Sequence, residues 1–168
     1  RRRKEPYVSH NESWSDQVVA TYLLCEINKF FPTELLAQKV ELVTDKMTRT
    51  PDLMVLSEEC ADELSNRDSS TITSDMHMPL LIAEVVGWDW RDDYRHKLAE
   101  YEELGVPEYW IVDHKAAGGR TVIGNLKAPA ITVCNLVDGE YELNRFVKGD
   151  KLKSHVIPEL EIELDKYF

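Results

Sequence analysis

No apolar run approaches the ~18 residues needed to cross a membrane, so no membrane span is expected. The start, Arg1-Arg2-Arg3-Lys4-Glu5-Pro6, has no apolar stretch behind it and does not read as a secretory signal. A flexible, solvated arm over residues 1–9 is the expectation there. Cysteine is scarce: Cys25, Cys60 and Cys134 are odd in number, widely separated and free of any C-x-x-C pair. That argues against a disulfide framework and a structural zinc site, and points to a reducing, cytoplasmic setting. His10, His77, His96, His114 and His155 show no metal-ligand spacing. Internal repeats and low-complexity segments are also lacking.

A basic surplus is missing as well. The formal net charge is -11, whereas proteins that grip phosphate backbones usually present basic surface. The deficit is local. Residues 58–75 carry a net of -5 and residues 159–166 a net of -3. Between His114 and Lys127 there is no acid, and Lys115, Arg120 and Lys127 are basic. The balance disfavours tight nonspecific nucleic-acid binding without excluding nucleic acid.

What is present suits one domain spanning 1–168: 168 residues, 43% hydrophobic and 30% charged. Helical spacing of Val18, Val19, Tyr22, Leu23, Ile27 and Phe30, with Ser13 and Asp16 at the start, predicts a helix over 11–31 ended by Pro32. Strands over 38–43 and 51–56 are expected to form a hairpin. Residues 57–78 read as a long acidic loop with a short helical turn at 58–64. The near-continuous apolar run 79–86 predicts a buried strand. A helix over 91–104, ended by Gly105 and Pro107, leads to a second buried strand over 108–112. Asp138-Gly139 marks a hairpin between 132–137 and 140–147. A strand near 152–157 and a short terminal helix complete the expectation. The fold class is α/β (mixed α+β): a central mixed sheet flanked by helices, with a strand–helix–strand crossover at its centre and a β-hairpin added at the C-terminal side.

One residue breaks the pattern. Glu84 interrupts Leu80-Leu81-Ile82-Ala83-Glu84-Val85-Val86, and an ionised carboxylate in an apolar interior is costly unless paired or bound to metal. Alternation sets it on the face opposite Ala83 and Val85. Asp52 begins the preceding strand, so two acids at adjacent strand ends can share one divalent cation. Mg²⁺, a hard ion, suits such oxygen ligands and completes its shell with water. A lysine on the same strand face would stand at position 86, but Val86 is there. Lys97, at the edge of the helical stripe of Tyr94, Leu98, Tyr101 and Leu104, can reach the strand end, with Asp93 as its ion-pair partner.

Four strings then matter together: Pro51-Asp52; Glu84-Val85-Val86; Asp93-x-x-x-Lys97-x-x-x-Tyr101; and Gly105-Val106-Pro107-Glu108-Tyr109-Trp110-Ile111-Val112-Asp113. They resemble a prokaryotic family of putative restriction endonucleases in the PD-(D/E)XK nuclease superfamily, over residues 10–165. The last string is the most specific. The resemblance implies a restriction-endonuclease-like core and a metal-dependent endonuclease that hydrolyses phosphodiester bonds in DNA. It implies Asp52 and Glu84 as metal ligands with the Val85 carbonyl as a third, Mg²⁺ or Mn²⁺ as cofactor, and Lys97 as a catalytic lysine moved from strand to helix. It also implies a homodimer. Two features depart from the family pattern: Gly87 stands where Ser is common, and the acidic loop 57–78 is long.

Simpler readings stand beside these. Tyr101, Tyr109 and Trp110 suit core packing. Glu26 suits a half-exposed acid or an approach to the metal. Lys115, Arg120 and Lys127 suit a solvated loop or phosphate contacts. For the whole chain the alternatives are a catalytically silent nuclease-fold module binding nucleic acid or a protein partner, and a hydrolase acting on a non-nucleic phosphoester.

Overall fold

The computed structural model describes residues 12–168, so the expected arm over 1–9 lies outside the described residues. Helix α1 spans Trp14–Ile27. Ser13 caps it: its hydroxyl accepts from the Asp16 amide while the Asp16 carboxylate accepts from the Ser13 amide, a reciprocal capping box. Strands β1 (Leu36–Ala37), β2 (Glu41–Val43), β3 (Thr48–Arg49) and β4 (Leu53–Val55) follow. Next come α2 (Glu58–Ser65), β5 (Thr71–Ile72) and β6 (Leu81–Val85). A π-helical turn, Asp92–Lys97, runs directly into α3 (Leu98–Glu103). Strand β7 (Glu108–Asp113), the short α4 (Arg120–Ile123), β8 (Ala130–Val137) and β9 (Glu140–Val147) complete the order.

Six strands form one sheet in the order β1-β4-β6-β7-β8-β9. Only β6 and β7 are parallel in it, with Glu84 opposite Ile111 and Val85 opposite Val112. Their connection is the π-turn and α3, so the expected crossover is present and lies at the sheet's centre. A smaller sheet, β3-β2-β5, sits apart. Alternation along β6 divides the core. Leu81, Ala83 and Val85 face α1 through Val19, Leu23 and Ile27. Ile82 and Val86 face the other way, toward Tyr94, Tyr101 and Tyr109. Glu84 shares this second face.

Several expectations are corrected. Strand β2 does not pair with β4. It pairs antiparallel with β3 and parallel with β5, while β4 lies between β1 and β6. All three residues of β4 are buried, so it needs neighbours on both sides, which a terminal hairpin cannot supply. In the segment 57–78 the expected helical turn is present as α2, but the remainder is not all loop, because it also forms β5. Helix α1 stops at Ile27, four residues early, and residues 28–31 continue as turns. The C-terminal strand and helix are absent; the tail makes one isolated bridge, Lys151 with Glu163. There the side chains decide: Leu152, Ile157, Leu160, Ile162 and Leu164 are each buried against the α1 side of the sheet. The amides of His155 and Val156 donate to the buried Glu108 carboxylate instead of to a ladder. The β8–β9 hairpin is as expected, with Asp138 at φ 51 and Gly139 at φ 86, both left-handed as a tight two-residue turn requires.

Candidate active site

Pro51 and Asp52 close the approach to β4, at the end where β6 finishes. There the Asp52 Oδ2 accepts the Val85 amide at 2.8 Å. This bond pins one carboxylate oxygen to the neighbouring strand end and leaves the other directed at the cleft. Glu84 is 2% exposed. Its Oε1 accepts the Tyr101 hydroxyl at 2.7 Å, and its Oε2 lies 3.2 Å from the Lys97 Nζ. Lys97 also donates to the Asp93 Oδ1 at 2.7 Å, one turn earlier. The Asp93 carbonyl accepts from the Tyr109 hydroxyl at 3.0 Å, tying the π-turn to β7. Thus the fold brings together Asp52, Glu84, Val85 and Lys97, from two strands and a helix.

The electrostatics follow from crowding. Burial pushes the Asp52 carboxyl up to about 6, against the pull of the Val85 amide and Lys97. Burial likewise raises Asp93 to about 6 and raises Glu84, whose neighbour Asp52 adds to the effect. For Lys97, burial alone would favour the neutral amine. The carboxylates of Glu84, Asp93 and Asp52 outweigh it and hold the ammonium firmly charged. Three carboxylates against one ammonium leave an excess of negative charge that one divalent cation would balance. Among the described residues no group of three or more metal-ligating side chains converges. A Mg²⁺-type ion does not need one, since it takes one or two carboxylates and retains waters. Asp52 and Glu84, both raised by burial, are the hard oxygen donors that such an ion takes.

These groups line an open cleft of about 860 Å³. Its rim adds residues that sequence reasoning missed. Lys39, with a left-handed backbone (φ 59), brings its Nζ to 4.0 Å from the Asp52 Oδ1 and 3.7 Å from the Glu12 Oε2. Left-handed backbone is uncommon outside glycine and leaves no signature in a Gln-Lys-Val string. Across the cleft Asp16 accepts from His114 at 2.7 Å and from Lys115 at 2.8 Å, and Lys115 also donates to the Ser13 hydroxyl at 2.7 Å. Burial opposes ionisation of Asp16, but these donors win and hold it at about 2. The capping motif signalled Asp16, though not its second use, and His114 had no sequence signal. Of the three basic candidates after β7, Lys115 lines the cleft, whereas Arg120 and Lys127 do not. Glu26 pairs with Lys29 at 2.8 Å and is not among the cleft's walls. Tyr101 does pack in the core, as expected, but its hydroxyl is also the Glu84 partner.

Glu84 on β6 and Lys97 on the π-turn that follows it stand 3.2 Å apart at the centre of the sheet. The profile of Uma2, described as "Putative restriction endonuclease", matches residues 11–165. This chain belongs to the Uma2 family. The Uma2 chain is also similar in fold to a solved structure from Anabaena variabilis, titled as a putative nuclease belonging to DUF820. The TM-score is 0.66 at 10% identity, covering 91% of this chain and 79% of that one. No curated protein matches the sequence. Among the described residues no helix is long and apolar enough to cross a membrane.

Proposed function

We propose that this Uma2 protein is a metal-dependent endonuclease that hydrolyses phosphodiester bonds in DNA, with Asp52, Glu84 and Lys97 as its catalytic set. The observation that carries this reading is Glu84: a carboxylate with 2% exposure, 3.2 Å from Lys97 and one residue from the amide that holds Asp52. Asp52, Glu84 and the Val85 carbonyl would hold Mg²⁺ or Mn²⁺. When bound, such an ion supplies an activated water and screens phosphate charge.

The chain's own residues do the positioning. The Val85 amide fixes the Asp52 carboxylate so that one oxygen faces the cleft. The Tyr101 hydroxyl fixes Glu84 from the opposite side, and the apolar face around it excludes water. Lys97, kept cationic by its carboxylate neighbours, offers donors to the oxygen that gains charge as the phosphate is attacked. Asp93 holds the Lys97 side chain at the strand end.

Plasmid cleavage with Mg²⁺ tests this. Cleavage is expected for the wild type, with losses of a hundredfold or more for Asp52→Ala and Glu84→Ala, on the order of one transition-state contact. No cleavage of DNA or RNA under any divalent cation would leave a silent nuclease-fold module; equal cleavage by the variants would place the chemistry elsewhere. The three cysteines are free, which fits the cytoplasmic setting we propose. We also infer a homodimer paired along β9, the eight-residue outer strand of the large sheet, whose Leu143 is 54% exposed.

A further inference from the structure

We propose that Arg91, Arg95 and Arg120, gathered about the Trp90 ring beside the cleft, form a clamp for the phosphate backbone of the nucleic acid. This rests on the nuclease reading above and adds where the substrate is gripped.

Two segments leave the sheet at the end where the site lies. After β6 the chain supplies Trp88, Asp89, Asp92 and Asp93 to the cleft wall, and after β7 it supplies Lys115 and Ala117. Trp90 joins the two segments. A Cβ built on Gly119 would lie 2.6 Å from its ring, so the glycine is what lets the second segment come this close. That segment is itself fixed: the buried Asp113 carboxylate accepts the Ala117 and Gly118 amides at 2.7 and 2.8 Å. The Arg91 and Arg95 guanidiniums lie 4.5 and 5.7 Å from the centre of the same indole. Arg120, the residue after Gly119, opens α4 and is exposed, as are Arg91 and Arg95.

Among the described residues none of these three arginines has an ion-pair partner. Asp92, the acid next to Arg91, is taken by Arg49 at 2.8 Å and His96 at 3.3 Å. The stretch from His114 to Lys127 contributes no acid beside Arg120. Arg91 and Arg95 share one ring, so they lie within about a Debye length of each other, ~10 Å at 0.1 M salt, and repel. A phosphate between them turns that repulsion into attraction. An arginine already laid over an indole has less freedom left to lose on binding, and its planar fork matches phosphate oxygens. The cleft itself is acidic, with seven carboxylates and three lysines in its walls. Attraction for a polyanion must therefore come from beside it, and this cluster sets unpaired positive charge at its rim.

Fluorescence anisotropy with a labelled mixed-sequence DNA duplex tests the proposal. The protein is the full chain with Ca²⁺, whose looser coordination balances the cleft's charge without octahedral geometry. R91Q, R95Q and R120Q are each expected to weaken binding about five- to tenfold at about 0.1 M salt, and to flatten the salt dependence by about 0.9 in log–log slope. R91K is expected to keep the slope and lose part of the affinity, because an ammonium cannot reproduce the fork. K153Q makes the same charge change beside Ser154, whose hydroxyl bonds Glu108 at the far end of β7, and is expected to leave both unchanged. Arginine variants that keep the wild-type slope overturn the proposal, as does a K153Q slope that falls as far as theirs, or a wild type that binds no duplex. Arginine-dependent binding without cleavage would overturn the hydrolytic reading alone. Cleavage that requires Glu84 but is unchanged in all three arginine variants would overturn this inference alone.

Discussion

Asp52 is an acid whose folded surroundings work against its charge, and this has a consequence for stability. Its carboxyl rises to about 6 from an ordinary 3.8, first through burial, with Glu12 adding repulsion. The folded state therefore binds more protons than the unfolded chain between about pH 4 and 6, and stability must fall across that window as pH rises. Asp93 acts in the same window and Glu84 in the same direction. Asp16 has the opposite sign, but its contribution is lost only as pH falls from about 4 toward 2, outside this range. Asp52→Asn keeps an oxygen for the Val85 amide and removes the charge. Urea midpoints measured from pH 4 to 7 with a chelator present are expected to decline less in this variant than in the wild type; parallel declines would refute the assignment. The sequence made Glu84 conspicuous, because a lone acid in an apolar strand needs an explanation. Asp52 was marked only by its place after Pro51 at a strand start, and its carboxylate is held by an amide 33 positions away.

At the scale of elements, the π-turn over Asp92–Lys97 decides how the site is presented. Helical spacing correctly indicated one helical segment before Gly105, but not its wider first turn, which depends on contacts from elsewhere. Arg49 on β3 supplies the main one. It is 8% exposed, donates to the Asp92 Oδ2 at 2.8 Å, and grips Glu100 through two bonds at 2.9 and 2.6 Å. The small sheet thereby holds both the π-turn and α3. Replacing Arg49 with Ala leaves two carboxylates without their cation, one of them buried. A loss of about 3–5 kcal/mol in denaturant unfolding is expected. Arg49→Lys should recover only part of it, because an ammonium cannot reproduce the fork. A loss under about 1 kcal/mol for Arg49→Ala would show that the turn is held by other means. The mispaired hairpin has a related cause. Short strands such as β2 and β3 carry too few residues for their alternation to name a partner.

At the scale of the molecule, the large sheet ends on one side at two-residue β1 and on the other at eight-residue β9. A long free edge is a template for a second chain. Sedimentation equilibrium at micromolar concentration is expected to show a dimer, and Arg145→Pro, which breaks the outer strand's pairing capacity, to shift it toward monomer; monomer alone in the wild type would rule out the pairing. Its outer residues are mostly polar, so main-chain bonds rather than apolar area would hold it. The net charge of -11 gains a structural meaning too, because part of it lines the cleft itself.

The sequence alone was enough for the mixed architecture, the buried strand pair around an α-helical crossover, the Asp-Gly hairpin and the oddity of Glu84. These follow from hydrophobic periodicity and turn chemistry, which act over a few residues. Only the tertiary structure decided that Tyr101 supports Glu84, that Arg49 shapes the π-turn, and that Lys39, Lys115 and Trp88 share one cleft. Those relations join residues far apart in the chain, and burial, charge pairing and backbone strain set them only once the sheet has closed around the site.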